Sequence, residues 1–202
     1  MPATMKLCII LVGAVFCSAI SGVYGRPGTR NKCPEVRVKG QLNLEQYLGH
    51  WHDIQRFPND FQHDTICDTA NYEQLNTTHV EVVNTATANN GSIISIKGVA
   101  YVPDPAAPAK FLVLFPRSSI PIPYWVLDTD YTNYAVVYSC INPQGNATIA
   151  QEFAWVLSRQ PMLQEQFMEA ARGAIQRNNV DPVEGVSRFM DTVQANCVNY
   201  RM

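Results

Sequence analysis

Short segments in which apolar and polar residues alternate fill the chain from about residue 51 to residue 159. In the segment 79–87, Val80, Val82 and Asn84 share one face of an extended chain, because alternate side chains of a strand point the same way. Turn-forming sequences such as Asn89-Asn90-Gly91 separate the segments. The pattern predicts eight strands, at 51–57, 69–75, 79–87, 92–102, 110–115, 124–127, 134–140 and 151–158.

The connections between these strands are short, and no helix alternates with them, so a parallel sheet is excluded. We therefore expect an all-β fold, an eight-stranded antiparallel up-and-down barrel. The segment 111–115 is apolar on both faces, and its outer face needs a cover. Leu163, Phe167 and Ala174 recur at helical spacing up to about Asn178. This predicts one C-terminal α-helix that packs outside the barrel and provides the cover.

The interior of a closed eight-stranded barrel holds either packed side chains or one small ligand. Composition does not choose between the two. On the first strand, Asp53 and Gln55 share the face of Trp51 and are expected to point inward. They either line a cavity or form a hydrogen-bonded floor.

The N-terminus has the pattern of a signal peptide. Lys6 precedes an uncharged run of 14 residues from Leu7 to Ile20, shorter than the ~20 residues of a transmembrane helix. We expect a signal peptide at 1–25, cleaved after Gly25, one domain at 26–202, and secretion to the extracellular space. Three N-glycosylation sequons fit that compartment and fall in predicted turns, at Asn76, Asn90 and Asn146.

Charge and hydropathy exclude two classes of partner. The formal net charge is −2, and no basic stripe or block stands out, which argues against nucleic-acid binding. No later stretch is long and apolar enough to form a transmembrane segment.

Four cysteines remain once the expected signal peptide is removed: Cys33, Cys67, Cys140 and Cys197. An even number in an exported chain predicts two disulfides, and four cysteines allow three pairings. Their spacings match neither a zinc ribbon nor a redox motif. Spacing alone leaves the pairing open.

Neither catalysis nor metal binding is expected. The serines have no recognisable nucleophile elbow or partner, and the cysteines are accounted for by disulfides. His50 and His52 project to the outer face of the first strand, opposite to Trp51, and no third ligand accompanies them. With His63 and His79, they are predicted to be surface histidines.

Three motifs resemble those of a known family. Gly49 and Trp51 open the first strand, the triplet Thr129-Asp130-Tyr131 precedes the seventh, and Arg159 follows the eighth. In this order they resemble the three conserved motifs of the lipocalin family. Similar stretches at 43–51, 124–127, 129–134, 137–140, 153–159 and 178–181 are closest to its apolipoprotein branch, with the insect bilin-binding proteins as near relatives.

The resemblance has structural implications. Trp51 would plug the closed end of the barrel, and Arg159 would lay its guanidinium over the indole ring. Relatives with this cysteine pattern join the first cysteine to the third and the second to the fourth. Carried over, the disulfides are Cys33–Cys140 and Cys67–Cys197.

The resemblance also implies a function, the carriage of a small hydrophobic ligand such as a fatty acid or a steroid-like lipid. Family ligand contacts fall on Tyr72, Asn84 and Trp155, and Phe153 and Leu157 share the face of Trp155. One alternative is a pigment carrier for biliverdin or a carotenoid, with no other cofactor. A second is a filled barrel in which these are core residues and the loops bind a receptor or subunit.

The Pro-rich segment 116–123 carries Ile120 and Ile122. It is a candidate surface for contact with a membrane or a lipoprotein while ligand is loaded. The alternative is a rigid rim around the barrel mouth.

Overall fold

The computed structural model describes residues 30–116, 118, 120–181 and 187–197, together with two strands near the N-terminus. Those strands, β1 (Leu7–Leu11) and β2 (Ala14–Ser18), pair with each other as an antiparallel hairpin. The remainder of residues 1–29, including the expected cleavage site after Gly25, lies outside the described residues. The signal peptide at 1–25 therefore stays a prediction.

The eight strands that follow form a closed antiparallel barrel, which confirms the predicted fold. Each strand pairs with the next along the chain, and the last pairs with the first. The strands are β3 (Gly49–Arg56), β4 (Thr65–Gln74), β5 (His79–Ala88), β6 (Ile93–Tyr101), β7 (Lys110–Leu114), β8 (Ile122–Thr129), β9 (Tyr134–Ile141) and β10 (Gln151–Ser158). Outside the barrel lie α1 (Leu44–Tyr47), a 3-10 turn (Asp60–Gln62), α2 (Glu165–Arg177) and the short strand β11 (Met190–Asp191).

The burial of β9 shows how the barrel is built. Its alternate residues Ala135 and Val137 belong to the cluster inside the barrel. Val136 and Tyr138 point the other way and belong to a second cluster outside it, with residues of α2. Both faces of β9 are shielded from solvent, because the barrel interior lies on one side and the helix on the other. Nearly all of its residues are therefore apolar.

The helix α2 does not cover the segment for which it was predicted. Its buried face, with Met168 and Ala171, lies in the outer cluster over β8 and β9. In β7, Phe111 and Val113 point inward, whereas the outward Leu114 is 45% exposed. The helix docks where β9 offers outward apolar side chains, and the expected cover over residues 111–115 was wrong.

Arg159 seals the closed end of the barrel. Its guanidinium carbon lies 3.7 Å from the centre of a Trp51 ring, and Trp51 is fully buried. The guanidinium donates hydrogen bonds to the backbone carbonyls of Gln46, His50 and Tyr131 at 2.8–3.0 Å. One side chain thereby joins the α1 segment, the start of β3 and the β8–β9 turn.

The neighbouring motif residues shape the backbone that Arg159 contacts. Gly49 has φ +90, and a side chain there would meet the Arg159 guanidinium. Asp130 accepts hydrogen bonds from the backbone N–H groups of the β8–β9 turn, and the Thr129 hydroxyl donates to the Tyr134 carbonyl at 2.6 Å. These bonds hold the turn so that the Tyr131 carbonyl faces Arg159.

Two disulfides fasten the segments that flank the barrel. Cys33 is bonded to Cys140 and Cys67 to Cys197, which is the pairing implied by the family resemblance. The second ties the C-terminal segment to the wall. There the Cys67 N–H donates to the Val193 carbonyl, and the Gln194 amide donates to the carbonyls of both Asp53 and Asp68. The segment 190–194 thus bridges β3 and β4 where these strands separate.

Two sequence predictions on β3 fail for identifiable reasons. Next to β10 the register of β3 shifts at Ile54, so Gln55 points outward and bonds Asp191 rather than following Trp51 inward. His52 is not a surface histidine, because it is only 5% exposed and interacts with Gln194. Burial, followed by the neighbouring His50 ring, lowers the pKa of His52 to about 4.

The closed end yields a stability prediction. Replacing Arg159 by Met removes the ring contact and leaves several backbone carbonyls without their donor, so we expect a loss of about 3–5 kcal/mol in the free energy of unfolding. Urea unfolding measures it. Arg172→Met, on the exposed face of α2, is the control and should cost no more than about 0.5 kcal/mol. Equal losses in the two variants would contradict the role given to Arg159.

Candidate functional site

A cavity of about 630 Å³ occupies the half of the barrel remote from Trp51. It opens between the β3–β4 loop, which contributes Phe61, and the β7–β8 loop, which contributes Ser118. A volume of this size is typical of a pocket for one small organic molecule. The apolar lining comes from most strands of the barrel and includes Val82, Ile94, Ile96, Val113, Phe115, Ile122 and Val137.

The structure brings all five sequence-predicted ligand residues to this cavity. Tyr72, Asn84, Phe153, Trp155 and Leu157 are among its lining residues. Tyr72 is buried, Asn84 is half-buried on the face of Val80 and Val82, and Phe153 stacks on Trp155 with ring centres 6.1 Å apart. Their contact with a ligand stays a prediction.

Tyr72 and Tyr124 line the cavity, and their hydroxyls form a cluster, which we call the tyrosine floor, with the hydroxyl of Tyr47, which lies outside the cavity lining. The Tyr124 hydroxyl lies 2.7 Å from those of both Tyr47 and Tyr72, so one chain of hydrogen bonds crosses the barrel. Burial raises the pKa of each phenol, and all three are uncharged at neutral pH. Sequence reasoning missed Tyr47, which precedes the first strand and carries no alternation signal.

A second polar group, which we call the acidic pole, lies at the mouth and consists of Asp53, Arg56, Gln62 and Asp68. The Arg56 Nη1 atom is 3.1 Å from Asp53 and 3.4 Å from Asp68, and the three side chains are almost fully buried. The Gln62 amide donates to both carboxylates, at 3.1 and 3.0 Å. Sequence reasoning expected Asp53 to point inward but missed Arg56, which the register shift at Ile54 turns inward.

The acidic pole holds the loop that borders the mouth. The Arg56 Nη2 donates to the Gln62 carbonyl at 2.8 Å, and the Trp155 indole N–H donates to the Gln62 side chain at 2.9 Å. Next to Gln62, Phe61 is 63% exposed and lies 5.4 Å from the Phe153 ring. Gln62 is therefore the link between the loop and the cavity wall.

Burial determines the protonation of Asp53. It raises the pKa of this carboxyl to about 7, against the lowering effect of Arg56 and with a further increase from Asp68. One guanidinium does not neutralise two buried carboxylates.

The other residues predicted to lie at the surface are found in the rim of the mouth and in the connections between strands. Ile120 is 42% exposed, whereas Ile122 lines the cavity; Arg117 and Ser119 of the same loop lie outside the described residues. The sequon residues Asn76, Asn90 and Asn146 are exposed and lie in the connections between strands.

Within the described residues, no group of three or more His, Cys, Asp or Glu side chains is arranged to hold a metal ion. Within the same part of the chain, every helix is too short or too polar to cross a membrane.

The acidic pole yields a prediction about pH. Because the pKa of Asp53 is raised from 3.8 to about 7, the folded protein binds more protons than the unfolded chain between these values. Relative to Asp53→Asn, the wild type should therefore lose stability as pH rises through this window, by at most about 1.4 kcal/mol per pH unit. Urea unfolding at a series of pH values measures this, with Asp104→Asn, in an exposed turn, as control. Parallel curves for wild type and Asp53→Asn would disprove it.

Comparison with known proteins agrees with this geometry. The Lipocalin-like domain family matches residues 42–184. The chain is 30% identical to apolipoprotein D of Mus musculus over 190 residues, which cover 92% of this chain and 97% of that protein. Among solved structures, H1 crustacyanin from the lobster Homarus americanus superposes with a TM-score of 0.67 at 27% identity, over 84% of this chain and 90% of that one.

A third similar protein extends the agreement in fold. Insecticyanin from the tobacco hornworm Manduca sexta superposes with a TM-score of 0.67 at 24% identity, over 79% of this chain and 85% of that one. The resemblance to the apolipoprotein branch seen in the sequence is confirmed by the apolipoprotein D match. The chain belongs to the lipocalin family.

Proposed function

We propose that this protein is an extracellular carrier that holds one small hydrophobic ligand in the barrel and performs no catalysis. The observation that carries the proposal is the cavity of about 630 Å³, open at one end and lined mainly by apolar side chains. Each Å² of apolar ligand surface removed from water contributes about 25 cal/mol before the entropy costs of binding. The tyrosine floor and Asn84 are the polar groups that orient such a ligand.

Several observations support export. The two disulfides are of a kind that persists in oxidising compartments, and three sequon asparagines are exposed. The apolipoprotein D match spans nearly the whole chain and supports a role in lipid transport.

The ligand class has two candidates. The first is a colourless lipid, either a fatty acid or a steroid-like molecule, and the second is a pigment such as biliverdin or a carotenoid. A visible absorption band in the purified native protein would support a pigment as the ligand and contradict a colourless lipid. The size of the cavity admits both classes.

The filled-barrel alternative, in which the loops alone bind a receptor or subunit, has less support because the cavity is large. Contact of the rim with a lipoprotein or membrane surface rests on Ile120 and Phe61, which are exposed beside the mouth. Ile122 lines the cavity and is partly withdrawn from that surface.

Native mass spectrometry of the secreted protein tests the proposal directly. The expected result is a mass excess that organic extraction removes and that matches one small apolar molecule. An apo mass from a native source, together with no binding of any apolar probe, would refute carriage.

A matched pair of variants locates the binding site. Asn84 lines the cavity, whereas its neighbour Val83 points to the outer face, paired with Lys97. Asn84→Trp should place an indole in the cavity and weaken binding of the neutral probe N-phenyl-1-naphthylamine by about tenfold or more, because the ring takes up space that the probe needs. Val83→Trp should leave the affinity within about twofold. Fluorescence titration measures both, and equal affinities would place the probe elsewhere.

A further inference from the structure

The charged residues that line the cavity, among those that the structure describes, are all acidic. Asp53 and Asp68 line it, and no Arg, Lys or His does so within the part of the chain that the structure describes. The remaining polar lining residues, such as Tyr72, Asn84 and Gln62, are uncharged. Among these described lining residues, an anionic head group would therefore meet carboxylates and no free cation.

Arg56 does not alter this balance, because both of its terminal nitrogens already bind neighbouring groups. Nη1 contacts Asp53, Asp68 and the Thr192 hydroxyl, and Nη2 donates to the Gln62 carbonyl. Its side chain is only 4% exposed. With two carboxylates and one guanidinium, the acidic pole carries a net negative charge when both acids are ionised.

The carboxylates of the acidic pole act on the cavity through their charge. Asp53 is 3% exposed, and its Oδ2 accepts from Arg56 and Gln62. Its Oδ1 is shielded from the cavity by neighbouring atoms, although the side chain lines it. Because the surroundings are buried, a charge at this position is screened less than one in water and acts on a ligand head group at short range.

We propose that the cavity selects apolar ligands whose head group carries no negative charge, with the carboxylates of Asp53 and Asp68 setting the preference. This rests on the proposed carrier function and narrows its ligand class. An aliphatic amine is bound best because its positive charge offsets the second carboxylate. An alcohol follows, since it is uncharged, and a carboxylate is bound least well. Of the lipids considered above, ionised fatty acids are the poorest fit.

The test is a series of ligands that share one hydrocarbon chain and differ in the head group. Decylamine, decanol and decanoic acid are titrated against bound N-phenyl-1-naphthylamine at pH 8.5, where Asp53, whose pKa is raised to about 7, is ionised. We expect the amine to compete about tenfold or more better than the acid, with the alcohol between them. Equal competition by all three, or strongest competition by the acid, would overturn the head-group proposal and leave the carrier function standing. Failure of the probe and of all three ligands to bind would overturn the carrier function itself.

Variants assign the preference to the acidic pole. Asp53→Asn keeps the shape of the side chain but removes its charge, so the ratio of amine to acid affinity should fall toward one. Asp104→Asn makes the same charge change in an exposed turn at the other end of the barrel and should leave the ratio unchanged. An unchanged ratio in a folded Asp53→Asn protein would overturn the role of Asp53.

A second variant covers the case in which Asp53→Asn does not fold. Asp68→Asn leaves one carboxylate facing one guanidinium and neutralises the acidic pole. It should also lower the ratio of amine to acid affinity. If the ratio stays at its wild-type value, the net charge of the acidic pole does not set the preference and the proposal fails.

Discussion

The pairing of β10 with β3 is the constraint on which the other features depend, because it turns a meander into a closed wall. Closure leaves no free edge between these strands, and it divides every strand residue into inward and outward. The same seam carries the register shift at Ile54. That irregularity sends Arg56 into the interior, where it joins Asp53 and Asp68, so the chemistry of the mouth depends on how the barrel closes.

The two ends of the barrel use hydrogen bonds for opposite purposes. At the closed end, one cation ties backbone carbonyls from three segments and covers an indole ring, which excludes solvent and ligand alike. At the open end, Gln62 joins the β3–β4 loop to the barrel wall. Its side-chain amide donates to the carboxylates of Asp53 and Asp68 and accepts from the Trp155 indole. The first arrangement closes one end of the barrel, whereas the second leaves two carboxylates beside the cavity.

Alternation predicted much of the fold because a barrel wall has one wet and one dry side. All eight strands and the helix were found near their predicted positions, and the five expected cavity residues lie together. Alternation could not predict strand irregularities or contacts between residues that are far apart in the sequence. The bulge at Ile54 reversed Gln55, and a segment more than 130 residues away buried His52. The helix location over β9 depended on which outward residues were available for packing.

The segment 190–194, which bridges β3 and β4, bonds directly to the barrel wall. Thr192 donates its N–H to the Ile54 carbonyl, and its hydroxyl accepts from Arg56. Cys67 bonds a cysteine 130 residues further along. During synthesis the mouth is therefore incomplete until residues 190–197 have been made. A chain truncated before residue 190, or one in which Cys67 is oxidised with another partner, would have a sealed base and an unfinished entrance, so the two ends of the barrel are completed at different times.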